Sequence, residues 1–163
     1  MNFFGDVHTE VFSAKVNTND KVVAVGCSNG EAKVYDIFEG KVLSIGNTSH
    51  LAKFPCTAVR WKPLHTDDFV ACNCDGSIKW YNGLSESAYG HWEHPDRSYL
   101  CVDYQAKEEW CAFGTDANTI EIFDVETMKP TQVLVEQFRN IRRAVLQNSI
   151  STIIPIEFSV FIA

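Results

Sequence analysis

The amino-acid sequence predicts an all-β chain of repeated four-stranded antiparallel units. Three segments, residues 23–36, 69–82 and 110–124, align with one another when the chain is laid against itself. Each runs through a period-2 apolar stretch, a turn of Gly, Asn or Asp, and a second period-2 stretch closing on an aromatic residue and an acid or amide. The equivalent positions Val34, Trp80 and Ile122 are spaced by 46 and 42 residues (34 to 80, 80 to 122).

The elements follow from this grammar. In the first copy Val23 and Val25 alternate before Ser28-Asn29-Gly30, and Ala32 and Val34 alternate after it. That is a hairpin whose turn residues tolerate positive φ. Asp75-Gly76 does the same in the second copy, and Asp116-Ala117-Asn118 is expected to make a longer turn in the third. A short strand precedes each hairpin, over residues 11–16, 57–61 and 99–104. Another follows each, over residues 41–45, more weakly over 87–92, and over 132–135. Four short antiparallel strands per unit of about 40–45 residues is the pattern of a propeller blade.

The sequence resembles the WD40-repeat family. In that family a repeat opens near a Gly-His pair, passes through a strand ending in an apolar residue and Pro, and closes on Trp-Asp. Here His50 precedes Ala58-Val59-Arg60-Trp61-Lys62-Pro63, and the closing pair appears as Tyr35-Asp36, Tyr81-Asn82 and Phe123-Asp124. The resemblance covers about residues 8–130 and implies a β-propeller that scaffolds protein complexes without catalysis or cofactor. It also implies a structural blade network in which His50 is pinned by Asp75 of the central hairpin, with Trp80 beside them. The third copy has Ala117 and His94 at the matching places, and the first has Asn29 with His8. Only the second unit is therefore expected to hold the full network.

Read as domains, residues 1–130 form a partial propeller with blades near 8–50, 51–94 and 95–135, and residues 131–163 are a non-repeat tail. In the tail Leu134, Phe138, Ile141 and Val145 recur at helical spacing, which predicts an amphipathic helix over 134–147. Its expected roles are to cover the open edge of the last blade or, as a basic amphipathic helix, to bind a membrane or a partner groove. At 42–46 residues per unit, 163 residues hold about three units, while propellers use about four to eight. An incomplete ring of this kind exposes strand edges and an apolar sheet face, which invites self-association or completion by a partner.

Composition narrows the function classes. A net charge of -7, with the 14 Lys and Arg residues spread along the chain, offers no basic stripe for a phosphate backbone. No run of about 18 apolar residues predicts a membrane span. The six cysteines fall mostly inside apolar alternating runs, and no leader-like segment opens the chain, which points to a reducing intracellular setting, cytoplasmic first with the nucleus left open.

Cys72, Cys74, His91 and His94 have the residue types of a zinc site. A Cys-x-Cys in a strand, however, holds its thiols roughly 6.5–7 Å apart, too far for one tetrahedral ion, so core packing is the expected role. No nucleophile elbow, H-E-x-x-H, P-loop or dinucleotide fingerprint is present, and neither catalysis, metal nor cofactor is expected. The expected function is protein–protein interaction on faces and rim, the alternative being a truncated isoform or propeller fragment that self-associates or completes a partner's ring. Candidate interface residues are Trp92, His91 and Arg97 in the connection after the second hairpin, and Arg60 on the strand before it; Trp92 has the alternative of capping the neighbouring blade.

Overall fold

The computed structural model describes residues 9–48, 54–65 and 67–135. His8, His50 and the residues beyond 135, which include most of the expected helix, lie outside the described residues. The first two residues of that helix, Leu134 and Val135, instead end a strand, because Leu134 pairs with Ile120 and Val135 with Thr119.

Among the described residues, twelve strands form three four-stranded antiparallel sheets, each built from consecutive strands. Sheet 1 comprises β1 (Val11–Val16), β2 (Val22–Cys27), β3 (Glu31–Asp36) and β4 (Val42–Asn47). Sheet 2 comprises β5 (Cys56–Trp61), β6 (Asp68–Asn73), β7 (Ser77–Asn82) and β8 (Ala88–Glu93). Sheet 3 comprises β9 (Tyr99–Tyr104), β10 (Trp110–Thr115), β11 (Thr119–Asp124) and β12 (Lys129–Val135). The three sheets resemble propeller blades and pack against one another in order, sheet 1 on sheet 2 and sheet 2 on sheet 3.

The repeat extends to irregularities that a period-2 pattern cannot reveal. The pairing of the first two strands skips one residue in every sheet, at Phe12, Thr57 and Leu100. The pairing of the last two skips another, at Leu43, Tyr89 and Thr131. Bulges at matching places bend each sheet alike. The central hairpin turns also match: each has three residues, and the third is no longer than the second. Gly30 and Gly76 end the first two with φ of 81° and 83°, and Asn118 fills the same left-handed place with φ of 59°. The third turn keeps its length because asparagine tolerates this conformation without glycine.

Packing on both faces explains why β2, β6 and β10 read as nearly continuous apolar runs. Between sheets 1 and 2, Ala24, Ala32 and Val34 meet Val59, Trp61, Phe69, Ala71 and Tyr81. Between sheets 2 and 3, Val70, Cys72, Ile78 and Trp80 meet Tyr99, Tyr104, Phe113 and Phe123. Phe113 and Phe123 lie edge-on at 5.0 Å between ring centres, and the fully buried Trp80 sits 6.4 and 6.2 Å from them. Burying each such ring contributes on the order of 2–3 kcal/mol. Glycines admit the neighbour's side chains: a Cβ on Gly46 would lie 2.7 Å from the Tyr81 ring, and one on Gly90 would overlap the Met128 sulfur.

The first strands of the sheets run side by side in the same direction. Ser13 Oγ accepts from Val59 N at 3.3 Å and Lys15 O accepts from Trp61 Nε1 at 2.7 Å. Thr57 Oγ1 donates to Tyr99 O at 2.6 Å, and the Arg60 guanidinium pairs with Asp103 at 2.7 Å. This alignment brings the β1–β2, β5–β6 and β9–β10 loops to one end of the stack.

Candidate functional site

The end of the stack that carries those loops is held by a device repeated in all three sheets. Ile37 N donates to Lys21 O at 2.9 Å, Gly83 N to Asp67 O at 2.5 Å, and Val125 N to Glu109 O at 3.2 Å, so the two loops of each sheet are tied together. The acid or amide that closes each repeat caps the loop after it. Asp36 Oδ1 accepts from the N–H groups of Phe38 and Glu39 at 2.8 and 2.7 Å. Asn82 Oδ1 accepts from Leu84 N at 3.1 Å, and Asp124 Oδ1 accepts from Thr127 N and Oγ1, both at 2.7 Å. Those bonds from Thr127 hold the Asp124 carboxyl below its ordinary range.

A fourth clamp joins two sheets. Glu108, in the left-handed region with φ of 60°, turns its carboxylate to the β5–β6 loop. There it accepts from the N–H groups of Leu64 and His65, the latter at 3.0 Å, and meets the His65 ring. Burial alone would push this carboxyl up, but the donors from Leu64 and His65 together outweigh it, and its pKa falls below the usual 4.5. Lys62 pairs with Asp68 at 3.5 Å and lies 5.8 Å over the Tyr89 ring.

These capped loops lift large apolar side chains into solvent. Phe38 is 80% exposed, Leu84 70% and Leu64 66%, all at this end. Rigidly held loops carrying apolar groups are the usual material of a recognition surface. None of the three was singled out from the sequence. The available signal was an apolar residue beside a turn-former: Phe38 shortly before Gly40, Leu64 after Pro63 and Leu84 after Gly83.

The residues singled out from the sequence do not share one patch. Trp92 turns toward sheet 3, its ring edge-on to Phe123 at 5.7 Å. His91, its neighbour on β8, points to the opposite face and is exposed, as the two-residue period demands. Arg97 is engaged by Glu121 and Thr119 Oγ1, at 2.9 and 2.8 Å. Arg60 keeps partial exposure while paired with Asp103. Trp80 is core, and Asp75 accepts from Ser77 N at 3.1 Å and from Ser77 Oγ.

Two buried polar clusters went unread in the sequence. At the join of sheets 1 and 2, Thr48 Oγ1 donates to Asn73 Oδ1 at 2.7 Å, and Asn73 Nδ2 donates to Thr48 O at 2.8 Å and Ser77 Oγ at 3.2 Å. In sheet 3, Glu121 accepts from Tyr99 OH at 2.7 Å beside Arg97. Burial and the adjoining Glu121 carboxylate push the Tyr99 phenol up.

Cys72 is buried between sheets 2 and 3, while Cys74 lies in the turn and is half-buried. Among the described residues no three His, Cys, Asp or Glu side chains gather as a metal site requires, and no helix is long and apolar enough to cross a membrane. The chain matches no protein-family model and no curated protein.

Proposed function

We propose that this chain is a WD-repeat-type set of propeller blades that works as a non-catalytic protein-interaction scaffold, and that its loop end, bearing Phe38, Leu64 and Leu84, is the recognition surface. The observation that carries this reading is the capped loop end itself. Asp36, Asn82 and Glu108 each spend a carboxylate or amide on fixing a loop, and the fixed loops present apolar side chains rather than hiding them. Preorganised apolar groups bind protein surfaces with little ordering cost. The polar surround of Lys62, Asp68 and His65 supplies the rim such a surface uses.

The test is an affinity purification with the full chain and its Phe38→Ser/Leu64→Ser/Leu84→Ser variant, quantified by mass spectrometry. The partner set of the parent is expected to fall at least tenfold with the variant, while the midpoint of thermal unfolding stays within a few degrees because the three side chains are already solvated. An unchanged partner set from the triple variant would overturn the assignment of the surface.

A further inference from the structure

Each sheet has a back, the face turned toward the next sheet in order. The backs of sheets 1 and 2 are covered by the sheet that follows. Among the described residues no sheet follows sheet 3, yet its back is apolar as well. Trp110, Ala112, Ile120, Ile122 and Leu134 cluster there, all drawn from β10, β11 and β12. An open groove of about 360 Å³ runs over this face, lined by Trp110, Ile122 and Leu134 with Glu109, Asp124 and Gln132 beside them. Trp110 and Leu134 are only half-buried in it.

Strand register gives the groove a direction. Leu134 pairs with Ile120 and Gln132 with Ile122, while Trp110 pairs with Asp124. Leu134 therefore lies toward the β10–β11 turn, and Trp110 lies at the loop end with both carboxylates. Ile120 and Asp124 are four strand residues apart, which is roughly 13 Å. Among the described residues neither Glu109 nor Asp124 belongs to an ion pair. Asp124 is kept ionised by the bonds it accepts from Thr127.

The chain itself supplies a segment that fits. It leaves the sheet at Val135, directly after Leu134 at the turn end of the groove, and 28 residues follow (135 to 163). These lie outside the described residues, and their sequence complements the groove in order. Phe138, Ile141 and Val145 recur at helical spacing, and Arg139, Arg142 and Arg143 stand among them. No acid occurs between Glu136 and Glu157. As a helix, Phe138 to Val145 spans roughly 10 Å, close to the length of the groove. Running back along the sheet from Val135, such a segment sets Phe138 by Leu134 and Val145 by Trp110. Arg142 and Arg143 then stand toward Glu109 and Asp124. The short tether at Val135 keeps the segment at high local concentration, so it outcompetes a separate chain of equal contact.

We propose that residues 138–145 occupy this groove as an intramolecular cap, seating Phe138, Ile141 and Val145 along Leu134, Ile122 and Trp110 and pairing the arginines with Glu109 and Asp124. The cap shields the apolar face that a stack of sheets leaves at its end, the task of a terminal repeat in other stacked arrays. It is independent of the loop-end surface, which stands or falls on its own.

The test is disulfide trapping in the full chain. Gln132→Cys, at an exposed position in the groove, is combined with Ala144→Cys, next to Val145. The control pair places Ala144→Cys with Glu39→Cys, an exposed position on sheet 1. Each chain is equilibrated in a glutathione redox buffer at about 1 and 100 μM protein, and the bridge is located by peptide mapping and its effective concentration read from the buffer ratio. The groove pair is expected to bridge within single chains, with an effective concentration at least tenfold above the control and the same at both protein concentrations. Adding Arg142→Glu/Arg143→Glu is expected to lower it severalfold, and Glu109→Lys on that background to recover part of the loss. An effective concentration within twofold of the control overturns the cap. A bridge between two chains also overturns it and gives the groove to a second copy. A strong bridge that the charge changes leave untouched overturns the pairing of the arginines with the carboxylates.

Discussion

Substituting Thr48 and Asn73 tests whether a polar clip, rather than apolar contact alone, fixes the join of sheets 1 and 2. Both residues are fully buried. Thr48→Val removes the hydroxyl that donates to Asn73 Oδ1 at 2.7 Å and leaves that oxygen buried without its donor. The expected cost is about 1–3 kcal/mol.

Asn73→Leu removes the whole amide but strands less. The one Thr48 hydroxyl proton then goes to Gly30 O at 2.8 Å, and the Ser77 hydroxyl, 3.0 Å from Thr48 O, can turn to it from Asp75, which keeps Ser77 N at 3.1 Å. Its cost is that of the two short bonds lost, about 0.5–1.5 kcal/mol each. In the double variant no orphaned oxygen remains, so the combined loss is expected to fall short of the sum by about 1 kcal/mol. Urea unfolding followed by tryptophan fluorescence reads this through the midpoint, with the slope unchanged. Pairing Thr48→Val with Thr115→Val, whose hydroxyl contacts Thr119 in sheet 3, provides an additive control. Additivity of Thr48→Val and Asn73→Leu within about 0.3–0.5 kcal/mol would refute a coupled clip.

Two further outcomes follow from the electrostatics. Because Glu108 titrates below its unfolded value, the stability it contributes is present above about pH 4.5 and is lost as the pH falls through its folded pKa. Glu108→Gln is therefore expected to melt a few degrees below the parent at pH 7, with the gap closing as the pH falls from about 4.5 through the folded pKa; a gap independent of pH counts against the clamp. Burial pushes the Cys56 thiol up to about 12 and raises those of Cys27, Cys72 and Cys111, whereas Cys74 is the half-buried one of the six. A thiol-reactive disulfide reagent at pH 8 is expected to show one fast-reacting cysteine in the native chain and six in urea. Two or more in the fast phase would contradict the packing.

The strand plan was legible because strand alternation and turn chemistry are local, short-range rules. Val23 and Val25 against Ala24, with Ser28-Asn29-Gly30 after them, already define β2 and its turn. The closing residues Asp36, Asn82 and Asp124 were visible as a motif, but their work as loop caps became clear only from geometry. What stayed hidden joins residues far apart in the chain. Nothing local links Thr48 to Asn73, or Arg97 to Glu121, since which buried polar groups meet depends on how the sheets stack. For Trp92 the sequence leaves open a rim residue among polar neighbours or a cap on the neighbouring blade; the two-residue alternation of β8 turns its ring toward Phe123 and His91 to the other face.

Because, among the described residues, every sheet is built from four consecutive strands and packs chiefly on its neighbours along the stack, the three sheets are expected to act as a short linear chain of cooperative units. The middle unit, covered on both sides by apolar contacts, opens last, and the outer ones can fray without it. Amide exchange is therefore expected to be slowest along β6 and β7, around Val70 and Trp80, and faster outward in both directions. Synthesis from the N-terminus would meet its main barrier when β7 closes on β6, since from then on each new hairpin is added to a template already in place.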